Sequence, residues 1–189
     1  MLGRRAFVAG SIAAAALPAL AAKRAPPPKV GAIRWPGPGH DLHGFMAIPA
    51  KAHGPQPAVL ILPDASGADQ YALAMTDALA LAGFVTCIPR ALPSIDDAVA
   101  TVRWLGTNHY STGKVAAVGL GRGAELVRQM GGAAQSGLAA AILFGSAPLA
   151  EPEPAMLALD SVAQLAAAGG DVYDRAWQRA IDFLKEHLA

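Results

Sequence analysis

The sequence predicts an α/β fold, a mostly parallel sheet with helices on both faces, and three observations carry that prediction. Short, largely apolar runs recur at Ala58 to Leu62, Phe84 to Ile88, Val115 to Val118 and Leu138 to Phe144, as expected of strands buried on both sides. Segments of helical period separate them, and regular strand–helix alternation implies parallel strands with crossover helices. Finally, Lys114 to Glu125 runs from an apolar stretch through Gly119, Gly121 and Gly123 into a helix-compatible segment, which reads as a strand turning tightly into a helix.

The chain has 189 residues, 53% hydrophobic and 15% charged, with a formal net charge of +1. That length supports one domain with a real core, and the weak charge gives no footprint for nucleic acid. A single cysteine, Cys87, excludes an internal disulfide and argues against a structural zinc site.

The amino terminus reads as an export signal over residues 1–21. Met1 to Arg5 is basic, Ala6 to Leu20 is apolar but short for a bilayer span, and Ala19-Leu20-Ala21 fits small-x-small cleavage. Arg4-Arg5 followed by Ala6-Phe7-Val8 resembles a twin-arginine signal, with an ordinary secretory signal or an uncleaved anchor as alternatives. The expectation is a periplasmic protein, exported already folded and free of the membrane when mature. Residues 22–29, with Pro26-Pro27-Pro28, form an expected linker, and residues 30–189 the domain.

Val30 to Trp35 and Leu42 to Ile48 read as strands joined by the Pro36-Gly37-Pro38-Gly39 turn. His40 and His43 flank that turn, and with no third ligand they are expected to face solvent rather than a metal. The central strand Ala58 to Leu62 ends at the loop Pro63-Asp64-Ala65-Ser66-Gly67, on the sheet edge where α/β folds gather functional residues. Asp69 to Ala82 suits a helix with Tyr71, Leu73, Met75, Ala78, Leu79 and Leu81 on its apolar positions, closed by Gly83. Ser94 can cap a helix through Gly106 that buries Ile95, Ala98, Val99, Val102 and Leu105. A helix from Arg122 to about Ala134 and the strand Leu138 to Phe144 continue the alternation, which then stops. Pro148 to Pro154 reads as a loop, Ala155 to Ala168 as weakly helical, Gly169-Gly170 as a break, and Val172 to Leu188 as an amphipathic helix burying Trp177, Ile181, Phe183, Leu184 and Leu188.

Two chemistries use a glycine-rich turn from strand to helix. A nucleophile elbow, GxSxG or GxCxG, lifts its central side chain above the sheet; here the centre is Gly121, with no side chain. A dinucleotide site uses GxGxxG or GxGxxA, satisfied by Gly119, Gly121 and Ala124. That site wants a ribose-binding acid about 20 residues on, where Gly145-Ser146 stands instead.

The chain resembles the dienelactone hydrolase family. The resemblance rests on HDLHGFMAIPA, PAVLILPDASG, AGFVTCIPRAL, DDAVATVRWL before KVAAVGLGRG, AAAILFGSAP, and YDRAWQRAIDFLKEHL, in the family's order. It implies a truncated α/β-hydrolase-like fold and a carboxylic ester or lactone hydrolase. The family's nucleophile would stand at Gly121, and its acid and histidine would follow between Gly145 and Val172, an interval without a histidine that is too short for the family's two further strands. The only later histidine is His187. Asp64 stands where the family often has a glutamate that interacts with the nucleophile.

Three readings stay open. The first is an exported hydrolase relative that has lost catalysis. The second is an active esterase with a displaced nucleophile: Ser66 foremost, with Asp64 as a partner and Cys87 or Ser146 as further candidates, each of which also has a plain structural role. The third is an anion- or dinucleotide-binding module using Gly121, Arg122 and Gly123 at a helix start, with Arg90 nearby. No metal or cofactor is expected, and the partner is a small ester or carboxylate ligand. A sheet missing two strands would leave a flank exposed, which predicts self-association or marginal stability.

Overall fold

The computed structural model describes residues 26–131, 136–146 and 155–189. The expected signal at 1–21, the start of the linker, the end of the helix after residue 131 and the Pro148 to Pro154 loop fall outside them. The described residues form seven strands, β1 (Lys29–Pro36), β2 (Asp41–Ile48), β3 (Gln56–Leu62), β4 (Val85–Pro89), β5 (Ser111–Leu120), β6 (Ala140–Phe144) and β7 (Ala155–Leu159), and five helices, α1 (Gln70–Leu81), α2 (Ile95–Thr107), α3 (Arg122–Gly131), α4 (Val162–Ala168) and α5 (Gly170–Leu188).

One sheet runs β1-β2-β4-β3-β5-β6-β7. β1 and β2 form an antiparallel hairpin, β2 joins β4 antiparallel, and from β4 to β7 every pairing is parallel. Alternation along each strand sends side chains to two cores. Val59, Ile61, Val118 and Ile142 face the layer of α1, α4 and α5, while Leu60, Leu62, Val115 and Leu143 face α2 and α3. Helices therefore cover both faces of a mostly parallel sheet, as the alternation requires.

The caps explain where helices begin. Asp69 Oδ1 accepts the N–H groups of Tyr71 and Ala72 at 3.0 and 2.9 Å, and Ser94 Oγ accepts that of Asp97 at 3.2 Å. These bonds satisfy donors that have no partner inside the helix. Trp35 of the hairpin stacks on Trp104 at 5.5 Å between centroids and donates from Nε1 to Thr101 Oγ1 at 2.9 Å, tying β1 to α2.

Several expectations need correction. Ala155 to Leu159 is a strand, paired parallel with β6 from Ala140–Ala155 to Phe144–Leu159. Its residues, Ala-Met-Leu-Ala-Leu, are good helix formers; the ladder offered by β6 overrides that preference. β7 is therefore the edge strand beyond β6, and β1 is the edge at the other side of the sheet. Only Gly169 breaks the final helix pair, with φ +108°, while Gly170 already opens α5. Leu81 and Ile95 are exposed, at 40% and 37%, because each sits at a helix end beyond the sheet's shelter. Ile181 and Phe183 are half-buried on α5, and Tyr173 and Ala180 take buried positions instead.

Candidate functional site

β5 ends at Leu120 and α3 begins at Arg122, so Gly121 alone makes the corner. Its φ of +54° lies in the left-handed region that glycine enters without penalty. Its N–H donates to the Phe144 carbonyl at 3.2 Å, and its own carbonyl accepts the N–H of Ala124 at 3.1 Å. The neighbouring glycines serve close packing. A Cβ at Gly119 would stand 2.4 Å from Ala124 Cα, and one at Gly123 would stand 2.1 Å from the Leu62 carbonyl oxygen. Backbone approach of α3 to β3 and β5 accounts for the spacing shared with dinucleotide sites.

The space above Gly121 holds the carboxylate of Asp64. A Cβ on Gly121 would meet Asp64 Cγ at 2.6 Å and its two oxygens at 2.7 and 2.8 Å. Asp64 Oδ1 accepts the N–H of Arg122 at 2.9 Å and that of Ala65 at 2.8 Å. The Arg122 bond, and after it the Ala65 bond, hold this carboxyl below its ordinary value. Gly121 brings no capping side chain, so Asp64 supplies in trans the oxygen that an N-cap residue usually supplies, at the positive end of the helix dipole.

This arrangement decides where the other candidates stand. Gly121, Arg122 and Gly123 do come together at the start of α3, but the N–H of Arg122 already binds the chain's own anion. Arg90 reaches the region through its backbone, taking the N–H of Ala68 on its carbonyl at 3.1 Å and donating to His43 at 2.9 Å. Ser66 is exposed on the β3–α1 loop and does not line the cleft described below. Cys87 is fully buried in β4, and burial pushes its thiol far above the ordinary value, so it is packed as a small hydrophobe rather than poised as a thiolate. Ser146 lines a larger cavity of about 640 Å³ behind α4, with Arg175 and Arg179, that does not reach the elbow.

Among the described residues no histidine lines the elbow cleft. His40 Nε2 lies 3.4 Å from Asp97 Oδ1 at the start of α2, on the opposite face of the sheet from α4. His43 is exposed on β2, three strands from β5. His187 Nδ1 pairs with the Phe183 carbonyl at 2.8 Å. Two residues on, the Ala189 carbonyl accepts from Lys114 Nζ, at the amino end of β5 and so at the far end of the strand from Gly121.

The cleft itself measures about 280 Å³ and lies between the elbow and α4. Asp64, Asp69 and Ser161 supply its polar side chains, Tyr71 and Phe144 its rings, and Val162 and Ala166 of α4 its far wall. Asp69, Tyr71 and Ser161 were not singled out as site residues from sequence. The signal for Asp69 was an acid immediately before a helical period, which marks a cap; that the cap also faces a cleft depends on the fold.

No family model matches the chain, and no curated protein sequence matches it. Solved structures do. The chain is similar to a Klebsiella pneumoniae protein assigned to the dienelactone hydrolases, with a TM-score of 0.69 at 13% identity over 84% of this chain and 98% of that one. It is similar to a dienelactone hydrolase-like promiscuous phosphotriesterase from metagenomic libraries, with a TM-score of 0.60 at 17% identity over 86% and 78%. A hyperthermophilic esterase from Pyrobaculum calidifontis matches at 0.52 and 18% identity, over 64% of this chain and 46% of its own. The fold is that of the dienelactone hydrolases and related α/β esterases.

Proposed function

We propose, from an α/β-hydrolase fold whose elbow holds a carboxylate in the nucleophile's place, that this protein binds a small ester-like ligand without hydrolysing it. The observation that carries the reading is the Asp64 carboxylate above Gly121. Acyl transfer needs a nucleophile, a base within hydrogen-bond reach and donors for the developing oxyanion. Here the elbow has no side chain, no histidine among the described residues lines the cleft, and the Arg122 N–H that could hold an oxyanion is committed to Asp64. The cleft between the elbow and α4, at the carboxyl edge of a parallel sheet, is where such folds bind ligands.

Incubating the full chain with p-nitrophenyl esters and small lactones tests this: turnover stays at the buffer rate, and a fluorophosphonate leaves no adduct on Ser66 or Ser146. Turnover lost on Ser66→Ala would instead establish the displaced-nucleophile esterase. The anion-binding reading is weakened by the internal carboxylate, and no observation favours the dinucleotide reading.

Export belongs to the same proposal and rests on Arg4-Arg5 and the apolar stretch after them. Replacing both arginines by lysine should retain the protein in the cytoplasm of a bacterial host; undiminished periplasmic protein would contradict a twin-arginine route. Self-association would run through β1 or β7, the two edge strands, and a sedimentation coefficient independent of concentration at the monomer value would remove it.

A further inference from the structure

We infer that β7 docks a second copy of this chain, the two β7 strands pairing antiparallel about a two-fold axis at Leu157. The inference rests on the self-association proposed above and assigns it one edge and one register. The two edges of the sheet differ. β1 carries Lys29, Arg34 and Pro36, charges and a missing donor of the kind that keep an edge from pairing. β7 reads Ala-Met-Leu-Ala-Leu, with no charge, proline or glycine, and no further strand pairs beyond it among the described residues.

The backbone decides which groups point outward. The Leu159 carbonyl accepts the N–H of Gly145, just past β6, at 2.9 Å. Within a strand the N–H and C=O of one residue point to the same side, and the side alternates from residue to residue. Leu157 therefore turns its pair towards β6, as Leu159 does, and Met156 and Ala158 turn theirs to the open edge. Centred on Leu157, an antiparallel pairing sets Met156 opposite Ala158 of the second copy, and the two exchange both N–H···O bonds. The two-fold axis repeats the exchange, so every outward group of Met156 and Ala158 finds a partner. The side chains fit the same register. Ala155 meets Leu159 and Met156 meets Ala158, large against small, while Leu157 meets itself. Leu157 and Leu159 lie on the α4–α5 side and Met156 on the α2–α3 side, so both faces of the joined sheet receive apolar pairs and no like charges meet. Centring on Met156 would set Ala158 opposite Pro154, which has no N–H, and centring on Ala158 would set the Asp160 carboxylate against Met156.

β7 has five residues, too few to bury by themselves the roughly 1,200 Å² of a standard stable interface, so the dimer should be reversible and populated at high micromolar protein. Sedimentation of the full chain across a concentration series reads this, and oxidative cross-linking reads the register. Leu157→Cys should link to itself, because its partner Cα lies about 4.5 Å away in this pairing, within the reach of a disulfide. Met156→Cys meets its own copy only on a diagonal of about 7 to 8 Å, beyond that reach, and should link only when mixed with Ala158→Cys. Cys87 is fully buried and stays out of the reaction. Ala158→Pro removes an outward N–H and leaves the bonds to β6 whole, so it should weaken association at least tenfold with an unchanged circular dichroism spectrum. Met156→Lys, which brings two like charges to the seam, should do the same, and Val30→Lys on exposed β1 should change nothing. Association that survives Ala158→Pro and Met156→Lys, or efficient linking of Met156→Cys alone, overturns the assignment to β7 in this register and leaves self-association standing. A monomer at every concentration overturns both.

Discussion

The two walls of the cleft are made in opposite ways. On one side β3, β5 and α3 meet at van der Waals limits, with Gly123 against the Leu62 carbonyl and Gly119 against Ala124. On the other, α4 is a seven-residue helix with one buried side chain, Leu165, held by the Ser161–Gln164 capping box. The first wall is fixed by the backbone itself, and no side-chain rearrangement can widen it. The second is held by Leu165, with Val162 partly buried beside it, and by its packing on α5, so the ability of the cleft to admit ligands of different size resides in α4. A short helix is marginal without tertiary support, and segments with few buried apolar side chains are the ones that open locally.

The contrast breaks most sharply at Gly123. A methyl group there would enter the Leu62 carbonyl at 2.1 Å and the Pro63 carbonyl at 2.6 Å, and neither can yield without moving β3. Gly123→Ala should therefore cost about 3 kcal/mol of global stability, seen as a lower urea midpoint with an unchanged slope. A loss within the noise of surface substitutions would mean that this wall is not rigid. Leu165→Ala should cost about 2 kcal/mol, at the low end for a buried leucine because the site can collapse. Its effect should be local: amide exchange should quicken across Val162 to Ala168 while β5 keeps its protection. Equal loss of protection in both places would show α4 to be part of the main cooperative unit.

The same contrast explains what could be read from the sequence. Strands β3 to β6 were legible because apolar runs bounded by turns have few alternatives, and α1 and α2 announced their starts through Asp69 and Ser94. At β7 the signal failed because Ala155 to Leu159 has a helix former's composition, and only pairing with β6, a non-local contact, makes it a strand. The absent nucleophile at Gly121 was visible in one residue. Its replacement was not, since Asp64 lies 57 positions away and only the β3–β5 register, Leu62 opposite Gly119, sets the two loops side by side.

That pairing of Gly121 with Asp64 offers a smaller and more specific test. Gly121→Ala places a side chain at positive φ, which costs about 1 to 2 kcal/mol by itself, and it also displaces the Asp64 carboxylate. In an Asp64→Ala background the displacement has nothing to act on, so the same substitution should cost measurably less. A double-mutant cycle would then report coupling of at least about 0.5 kcal/mol. Strict additivity would mean that the carboxylate and the elbow only happen to be neighbours.

The smallest effect separates the charge of Asp64 from its hydrogen bonds. Its folded pKa is depressed below the unfolded value of about 3.9 by the Arg122 and Ala65 N–H groups, so its contribution is present in full above the unfolded value and is lost as pH falls through the folded one. Asp64→Asn preserves an accepting oxygen and removes the interaction of the charge with the start of α3. Because Asp64 is exposed, solvent screening keeps that interaction to roughly 0.3 to 1 kcal/mol at low salt. Wild type should exceed the variant by this margin at neutral pH, and the two urea midpoints should converge in acid. With added salt the margin should shrink at neutral pH and stay near zero in acid. A gap of constant size at every pH would locate the benefit in hydrogen-bond geometry alone, and the rigid wall would then owe nothing to the anion at its corner.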